Sequence, residues 1–197
     1  DNNALFFASA RATNYNTALN NLAISEQRNL SYHGESGESV DIYVALKDDD
    51  GNWGEAINLG PMINTEYNDR SPFLHPDMKT LYFSSSGHGG LGSLDVFKST
   101  RLSDTCWTCW SKPVNLGKEI NTVAADWGFK INTDGDIAVF TKDMQNGQGD
   151  LYSIKLPLSM RPDFVATIKG KVLDSQNKIV DAQIKWEDLE LNKPIGV

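Results

Sequence analysis

Cysteine is almost missing from this chain. Two occur in 197 residues, Cys106 and Cys109, three apart in the stretch Asp104-Thr-Cys-Trp-Thr-Cys-Trp-Ser111. No second C-x-x-C and no H-x-x-x-H follows, so the four ligands of a structural zinc site are not there. Histidine is as scarce: His33, His75 and His88 are scattered, and no pair has ligand spacing. Positive charge is short too, with 18 Lys and Arg against 26 Asp and Glu and a net charge of −8. A nucleic-acid binder needs a basic footprint, so that class is set aside, and an anionic membrane surface is disfavoured on the same ground. No run of 18 apolar residues occurs, the length that marks a membrane-crossing helix, so no direct insertion of this segment is expected. No leader or lipidation motif is visible. That last absence weighs little, because the chain reads as part of a longer one.

What is present is a core and a repeat. Hydrophobic residues make up 40% of the chain, enough to fold. Gly and Asn cluster between short apolar runs, the texture of a turn-rich β protein. Trp53-Gly-Glu-Ala-Ile-Asn-Leu-Gly60 followed by Ile63-Asn-Thr65 returns as Trp110-Ser-Lys-Pro-Val-Asn-Leu-Gly117 followed by Ile120-Asn-Thr122, an offset of 57 residues that Asp69 and Asp126 share. Leu5-Phe-Phe-Ala-Ser9 matches Leu81-Tyr-Phe-Ser-Ser85 and, loosely, Ala138-Val-Phe-Thr-Lys142. Asp41-Ile-Tyr43 matches Asp95-Val-Phe97 and Asp150-Leu-Tyr152.

Short alternating runs bounded by Gly, Pro and Asn are the strand signal. In the best-preserved unit, strand a is read near Arg70–His75, b at Thr80–Ser86, c at Leu94–Thr100 and d at Trp110–Leu116. A turn at Pro76-Asp-Met78 and a Gly-rich loop, Gly87–Gly92, join the first three. Four strands repeated every 40–60 residues or so are the signature of a β-propeller blade. The strands run b, c, d, then a, b, c, d, then a, b, c. The expected fold is therefore all-β: a partial β-propeller of four-stranded blades about 57 residues long over residues 1–157. It starts inside a blade, with N-terminal blades upstream, and its third blade lacks strand d. The long stretch from Ala12 to Ser39 is expected to be a protruding loop, with a short helix around Thr17–Gln27. Residues 158–162 read as a linker. Two alternating segments, Phe164–Asp174 and Ile179–Glu187, then read as the start of a β-sandwich over 163–197, too few strands for a core of their own.

At these residues the chain resembles a known family. W-x-x-x-x-N-L-G-x-x-I-N-T, D-x-x-P-x-x-x-P-D and L-Y-F-S-S-x-G-x-G-G-x-G-x-x-D-V-F resemble the TolB-like propeller repeat of Bacteroidetes OmpA-family proteins. The tail, with Ile168-Lys-Gly-Lys-Val-Leu-Asp174, resembles a carboxypeptidase regulatory-like domain. The resemblance implies a non-enzymatic periplasmic scaffold associated with the outer membrane. It implies partners among outer-membrane or periplasmic proteins, and a tether to peptidoglycan through a further domain. PorE-like members of type IX secretion are the nearest setting. No cofactor is implied. The alternatives are a Tol-type partner-binding propeller without wall attachment, and a carbohydrate-active, sialidase- or glycosidase-like propeller. The last would need two carboxyls about 5–9.5 Å apart across a sugar, and no such pair can be placed from the sequence.

The repeat also sorts the individual residues. Trp110 opens a strand d, so Cys106 and Cys109 fall in a c–d connection, which is not the βαβ surrounding of a thioredoxin-like centre. Two Cys three apart in a turn reach disulfide Cα spacing, roughly 4.4–6.8 Å. A loop disulfide is the expectation, with free thiols or a redox or metal role as the alternatives; an oxidising periplasm suits the first. Asp41, Asp95 and Asp150 recur at the start of strand c and are read as structural hydrogen-bonders to neighbouring turns, not a catalytic set. Trp53 and Trp110 are read as blade-packing aromatics rather than sugar platforms. Asn58, Asn115, Asn64 and Asn121 are read as blade-structural. Asp48-Asp-Asp-Gly51 has the carboxylates for Ca²⁺ but not the EF-hand spacing, and an exposed hairpin turn is the plainer reading.

Overall fold

In a computed structural model of the chain, residues 3–10, 40–143, 148–165, 170–183, 186–188 and 193–196 are described. The expected loop from Ala12 to Ser39, its short helix and His33 lie outside them. The chain divides into two compact units, Asp1–Val165 and Ala166–Val197.

The first unit holds three antiparallel sheets. The first contains β1 (Ala4–Ser9), β2 (Asp41–Leu46) and β3 (Ile57–Asn58), in that order. The second contains β4 (Asp69–Leu74), β5 (Thr80–Ser85), β6 (Asp95–Thr100) and β7 (Val114–Asn115), also in chain order. The third contains β8 (Asp126–Ile131), β9 (Ile137–Asp143) and β10 (Gly149–Lys155). Each sheet is a meander, and none of them closes on itself. The fold of this unit is thus all-β, with three small sheets of three, four and three strands.

The register repeats with the sequence. Asp95 pairs with Ser85 across β5 and β6, and Asp150 with Lys142 across β9 and β10. The a–b pairings share a bulge, between Arg70 and Phe73 in one sheet and between Trp127 and Lys130 in the next. The bulge turns on a left-handed residue, Ser71 (φ 53°) in the first case and Gly128 (φ 68°) in the second. Pro72 sits inside the first bulge, where a strand tolerates a missing N–H.

Strand d is shorter than its sequence suggests. Instead of Trp110–Leu116, only Val114 and Asn115 pair regularly with β6, at Lys98 and Phe97. Pro113 has no N–H to give the ladder. Ser111 carries the interval: its N–H donates to the Thr100 carbonyl at 2.8 Å, and its hydroxyl accepts from the Thr100 N–H at 2.9 Å. Trp110 touches the sheet through an isolated bridge to Arg101.

Alternation of side chains sends the two faces of the second sheet into different cores. Ile42, Val44, Leu59 and Ile63 of the first repeat meet Leu81, Phe83, Phe97 and Trp110 of the second, with Phe6 and Trp107 at the margin. Tyr82, Val96, Leu116 and Ile120 of the second repeat meet Phe129, Ile131, Ala138 and Phe140 of the third. Odd and even positions of β5 therefore face opposite neighbours, which is why β5 is buried along its whole length.

The stretch read as a linker is a packed strap. Leu156 is buried in the second core. A 3₁₀ turn, Leu158–Met160, follows. The Tyr82 hydroxyl donates to the Met160 carbonyl at 2.8 Å, and Lys98 Nζ to the Arg161 carbonyl at 2.9 Å.

In the second unit, part of each alternating segment, Phe164–Asp174 and Ile179–Glu187, lies outside the described residues. Among the described residues, Leu173 and Ile179 make one isolated bridge around a tight turn, in which the Asp174 carboxylate accepts from the Gln176 and Lys178 N–H groups. Among the described residues of this unit, regular pairing appears only between β11 (Trp186–Asp188) and β12 (Lys193–Gly196). Two strands have too little surface to bury a face, and Leu173 and Ile179 are exposed.

Candidate functional site

The recurring polar residues converge on two equivalent clasps between successive sheets. In the first, the Asn64 side chain takes the place of a strand residue beside β2. Its Oδ1 accepts from the Ile42 N–H at 2.7 Å, and its Nδ2 donates to the Ile42 carbonyl at 2.9 Å. The same Nδ2 donates to Asn58 Oδ1 at 2.8 Å, which also accepts from the Gly60 N–H. Asn58 Nδ2 donates to Asp41 at 2.7 Å. Gly60 has φ 86°, a turn for which glycine is the low-cost residue. Thr65 then closes the loop, donating both its N–H (2.5 Å) and its hydroxyl (2.9 Å) to one oxygen of Asp69.

The second clasp repeats this almost atom for atom. Asn121 accepts from the Val96 N–H at 2.7 Å and donates to the Val96 carbonyl at 3.0 Å. Asn115 Oδ1 joins Asn121 to Gly117. Thr122 donates N–H and hydroxyl to Asp126. Each clasp satisfies backbone groups that a two-residue strand d leaves over, at about 1 kcal/mol for each buried bond.

The recurring aspartates diverge within this plan. Asp41 is held by Asn58. Asp95 instead accepts from the Leu91 and Gly92 N–H groups of its own Gly-rich loop, at 3.2 and 3.0 Å. Gly92 must be glycine, because a Cβ there would run into the carbonyls of Ala124 and Thr122. Asp150 is exposed at the start of β10, with no partner among the described residues.

Asp69 and Asp126 carry more than the sequence suggested. Both are fully buried. Burial pushes the Asp69 carboxyl from its ordinary 3.8 up to about 7, against the lowering effect of Ser85 and Thr65 and with a further push from Asp41. Burial raises Asp126 as well, with Asp95 adding to it. Each clasp thus sets two aspartates from successive sheets close enough to repel. The shared offset of Asp69 and Asp126 was visible in the sequence; their pairing with Asp41 and Asp95 came only from the packing.

The two tryptophans do not share an environment. Trp110 is 3% exposed and donates its ring N–H to the Trp107 carbonyl, with Phe6 edge-on at 6.4 Å. Trp53 is 47% exposed, with the Lys47 ammonium over its ring. Trp110 is therefore packed into the core between the first two sheets, whereas Trp53 is left largely exposed.

Cys106 and Cys109 form a disulfide with Cα atoms 5.4 Å apart. The loop they staple lays Trp107 over the Arg101 guanidinium at 4.0 Å and against Phe6 at 5.7 Å. The acidic turn is a hairpin: Asp48 accepts from the Asn52 N–H and Gly51 takes φ 85°. His88 lies in the core margin beside Phe83 and Phe97, its Nε2 on the Ile63 carbonyl, and burial lowers its pKa. His75 is buried, and its Nδ1 accepts from the Asp77 N–H. Among the described residues no three metal-ligating side chains converge.

Compared with protein-family models, curated proteins and solved structures, the chain matches none of them.

Proposed function

We propose that the three sheets are consecutive blades of a TolB-like β-propeller, and that this chain is the scaffold segment of a periplasmic, outer-membrane-associated OmpA-family protein. The observation that carries the reading is the clasp. The residues that define the repeat, Asn58, Asn64 and Asp69 with their counterparts Asn115, Asn121 and Asp126, are spent inside the joints between sheets. A chain that invests its recurring polar groups in holding sheets together presents its variable loops on a fixed frame. Its work is then to position partners, which we take to be outer-membrane or periplasmic proteins, rather than to run a reaction. A peptidoglycan tether would come from a further domain, and type IX secretion is the process that the resemblance favours. The Cys106–Cys109 disulfide suits an oxidising compartment.

Fractionation of cells that make the protein tests this. Recovery with the outer membrane and with sedimented cell wall is expected. Recovery in the cytosol, or a glycosidase activity abolished by Asp41→Asn or Asp69→Asn in a folded protein, would overturn it.

A further inference from the structure

The loop between β6 and β7 closes over a charge that has too few partners. Arg101 follows β6, and its backbone N–H donates to the Lys79 carbonyl at 2.8 Å. The residue is only 7% exposed. Its Nε and Nη1 are buried and have no acceptor among the described residues. Nη2 faces the exposed Asp104 carboxylate at 3.6 Å. Buried donors left unpaired destabilise a fold, and charged ones most of all, so something must hold this group under cover. The cover is Trp107, whose ring centre lies 4.0 Å from the guanidinium carbon. Leu102 N–H donates to the Cys109 carbonyl at 2.8 Å, and an isolated bridge joins Arg101 to Trp110. These contacts tie the two ends of the loop together and leave residues 103–108 as the part that can swing. The Cys106–Cys109 disulfide is the covalent tie across that part. Cys109 is exposed and Cys106 is half-buried.

From this arrangement we infer that residues 103–108 are a disulfide-latched lid over an oxyanion site anchored by Arg101, and that the oxyanion is a phosphate group. A dithiol opens the latch. One of its thiolates attacks the exposed Cys109 sulfur, the Cys106–Cys109 bond breaks, and Cys106 leaves as a thiolate that takes up a proton. The second thiol of the reductant then displaces Cys109 from the mixed disulfide. Two electrons and two protons pass to the chain, and the reductant departs as a disulfide. Trp107 is then held only by its edge contact with Phe6 and by the Trp110 ring N–H on its carbonyl. Hydration of the guanidinium opposes both. Arg101 suits a phosphate because a guanidinium is always charged and presents a planar fork of donors. A phosphate carries more charge than the Asp104 carboxylate that it displaces from Nη2. The inference rests on this loop and stands whether or not the scaffold reading does. In an oxidising compartment the latched form is the resting one.

The test follows the Arg101 Nε–H signal by NMR as inorganic phosphate is added to the 197-residue chain, oxidised or reduced with dithiothreitol. The chain has no other cysteine, so reduction acts on this latch alone. Reduction is expected to shift the Trp107 ring N–H and the Arg101 signal while the Leu81 and Phe83 amides stay in place. Phosphate should then bind with a Kd of about 1–10 mM, at least about tenfold more tightly than to the oxidised chain. Trp107→Ala removes the cover with the disulfide intact and should bind phosphate without reductant. Asp104→Ala should tighten binding to the reduced chain, and Arg101→Gln should abolish it. Four results would overturn the inference: no phosphate binding to the reduced chain, equal affinity in the two redox states, binding that survives Arg101→Gln, or loss of the Leu81 and Phe83 signals on reduction. The last would make the disulfide a staple of the fold rather than a latch.

Discussion

Residues one repeat apart occupy one backbone conformation, so a mismatch between them measures strain. Met78 has φ 59° at the a–b turn, where the next repeat has Gly135 at φ 70°. A side chain in the left-handed region costs roughly 1 kcal/mol that glycine does not. Met78→Gly is therefore expected to stabilise the chain by about 0.5–1 kcal/mol, less whatever chain entropy the new glycine adds, read as a rise in the urea midpoint. Asp69 offers a second test at this scale. Its carboxyl titrates near 7 when folded and near 3.8 when unfolded. Between those values the folded chain binds the extra proton, so stability is highest below the unfolded value and falls as pH rises through the folded one. Asp69→Asn keeps an acceptor for Thr65 and removes the proton. Unfolding followed from pH 4 to 7 should show a shallower decline in the variant, with Asp126 supplying what slope remains. An unchanged slope would mean that Asp69 is already ionised across that window.

At the scale of elements, the short d strands show how side chains finish a sheet. β3 and β7 pair over two residues each. An edge that short leaves strand c with unanswered groups, and Asn64 and Asn121 answer them from the following loop. Removing one such side chain strands a buried N–H and takes one of two donors from a buried carbonyl, since the Leu59 and Leu116 N–H groups still donate to Ile42 and Val96. Asn121→Ala is expected to cost about 1–3 kcal/mol in urea unfolding, against under about 0.5 for the exposed Asn52→Ala. A cost near that of Asn52→Ala would show that water replaces the amide and that the clasp contributes little.

At the scale of the molecule, the first unit is built by stacking like on like, and the strap from Leu156 to Asp163 runs across the second and third repeats. It gives Tyr82 and Lys98 their carbonyl partners and sets Pro162 against Gly135. Taking a chain ended after Val165 as reference, ending it after Pro157 is expected to cost about 2–4 kcal/mol, since a buried hydroxyl and a half-buried ammonium lose their acceptors. Equal urea midpoints for the two chains would reduce the strap to a passive exit. The outward faces at either end of the stack follow from the same plan. Leu5 and Trp53 at one end, and Val139 and Leu151 at the other, are exposed at positions whose repeat counterparts are buried.

The sequence alone determined the β class, the strand order b-c-d, a-b-c-d, a-b-c and the positions of the repeated Asn and Asp residues. Those depend on local alternation, on turn chemistry and on a 57-residue offset between matched motifs, all of which are written along the chain. It misjudged the length of strand d, because whether Pro113 and Ser111 continue a ladder depends on what the neighbouring strand receives in exchange. It grouped Trp53 with Trp110, because a shared motif does not say whether a neighbouring sheet is there to cover the ring. The tertiary structure decided the rest: that Asn64 and Asn121 serve as backbone surrogates, that Asp69 meets Asp41, and that the strap is packed. These are contacts between segments distant along the chain, and only folding creates the dry surroundings in which a carboxylate's pKa climbs or an amide's partner matters.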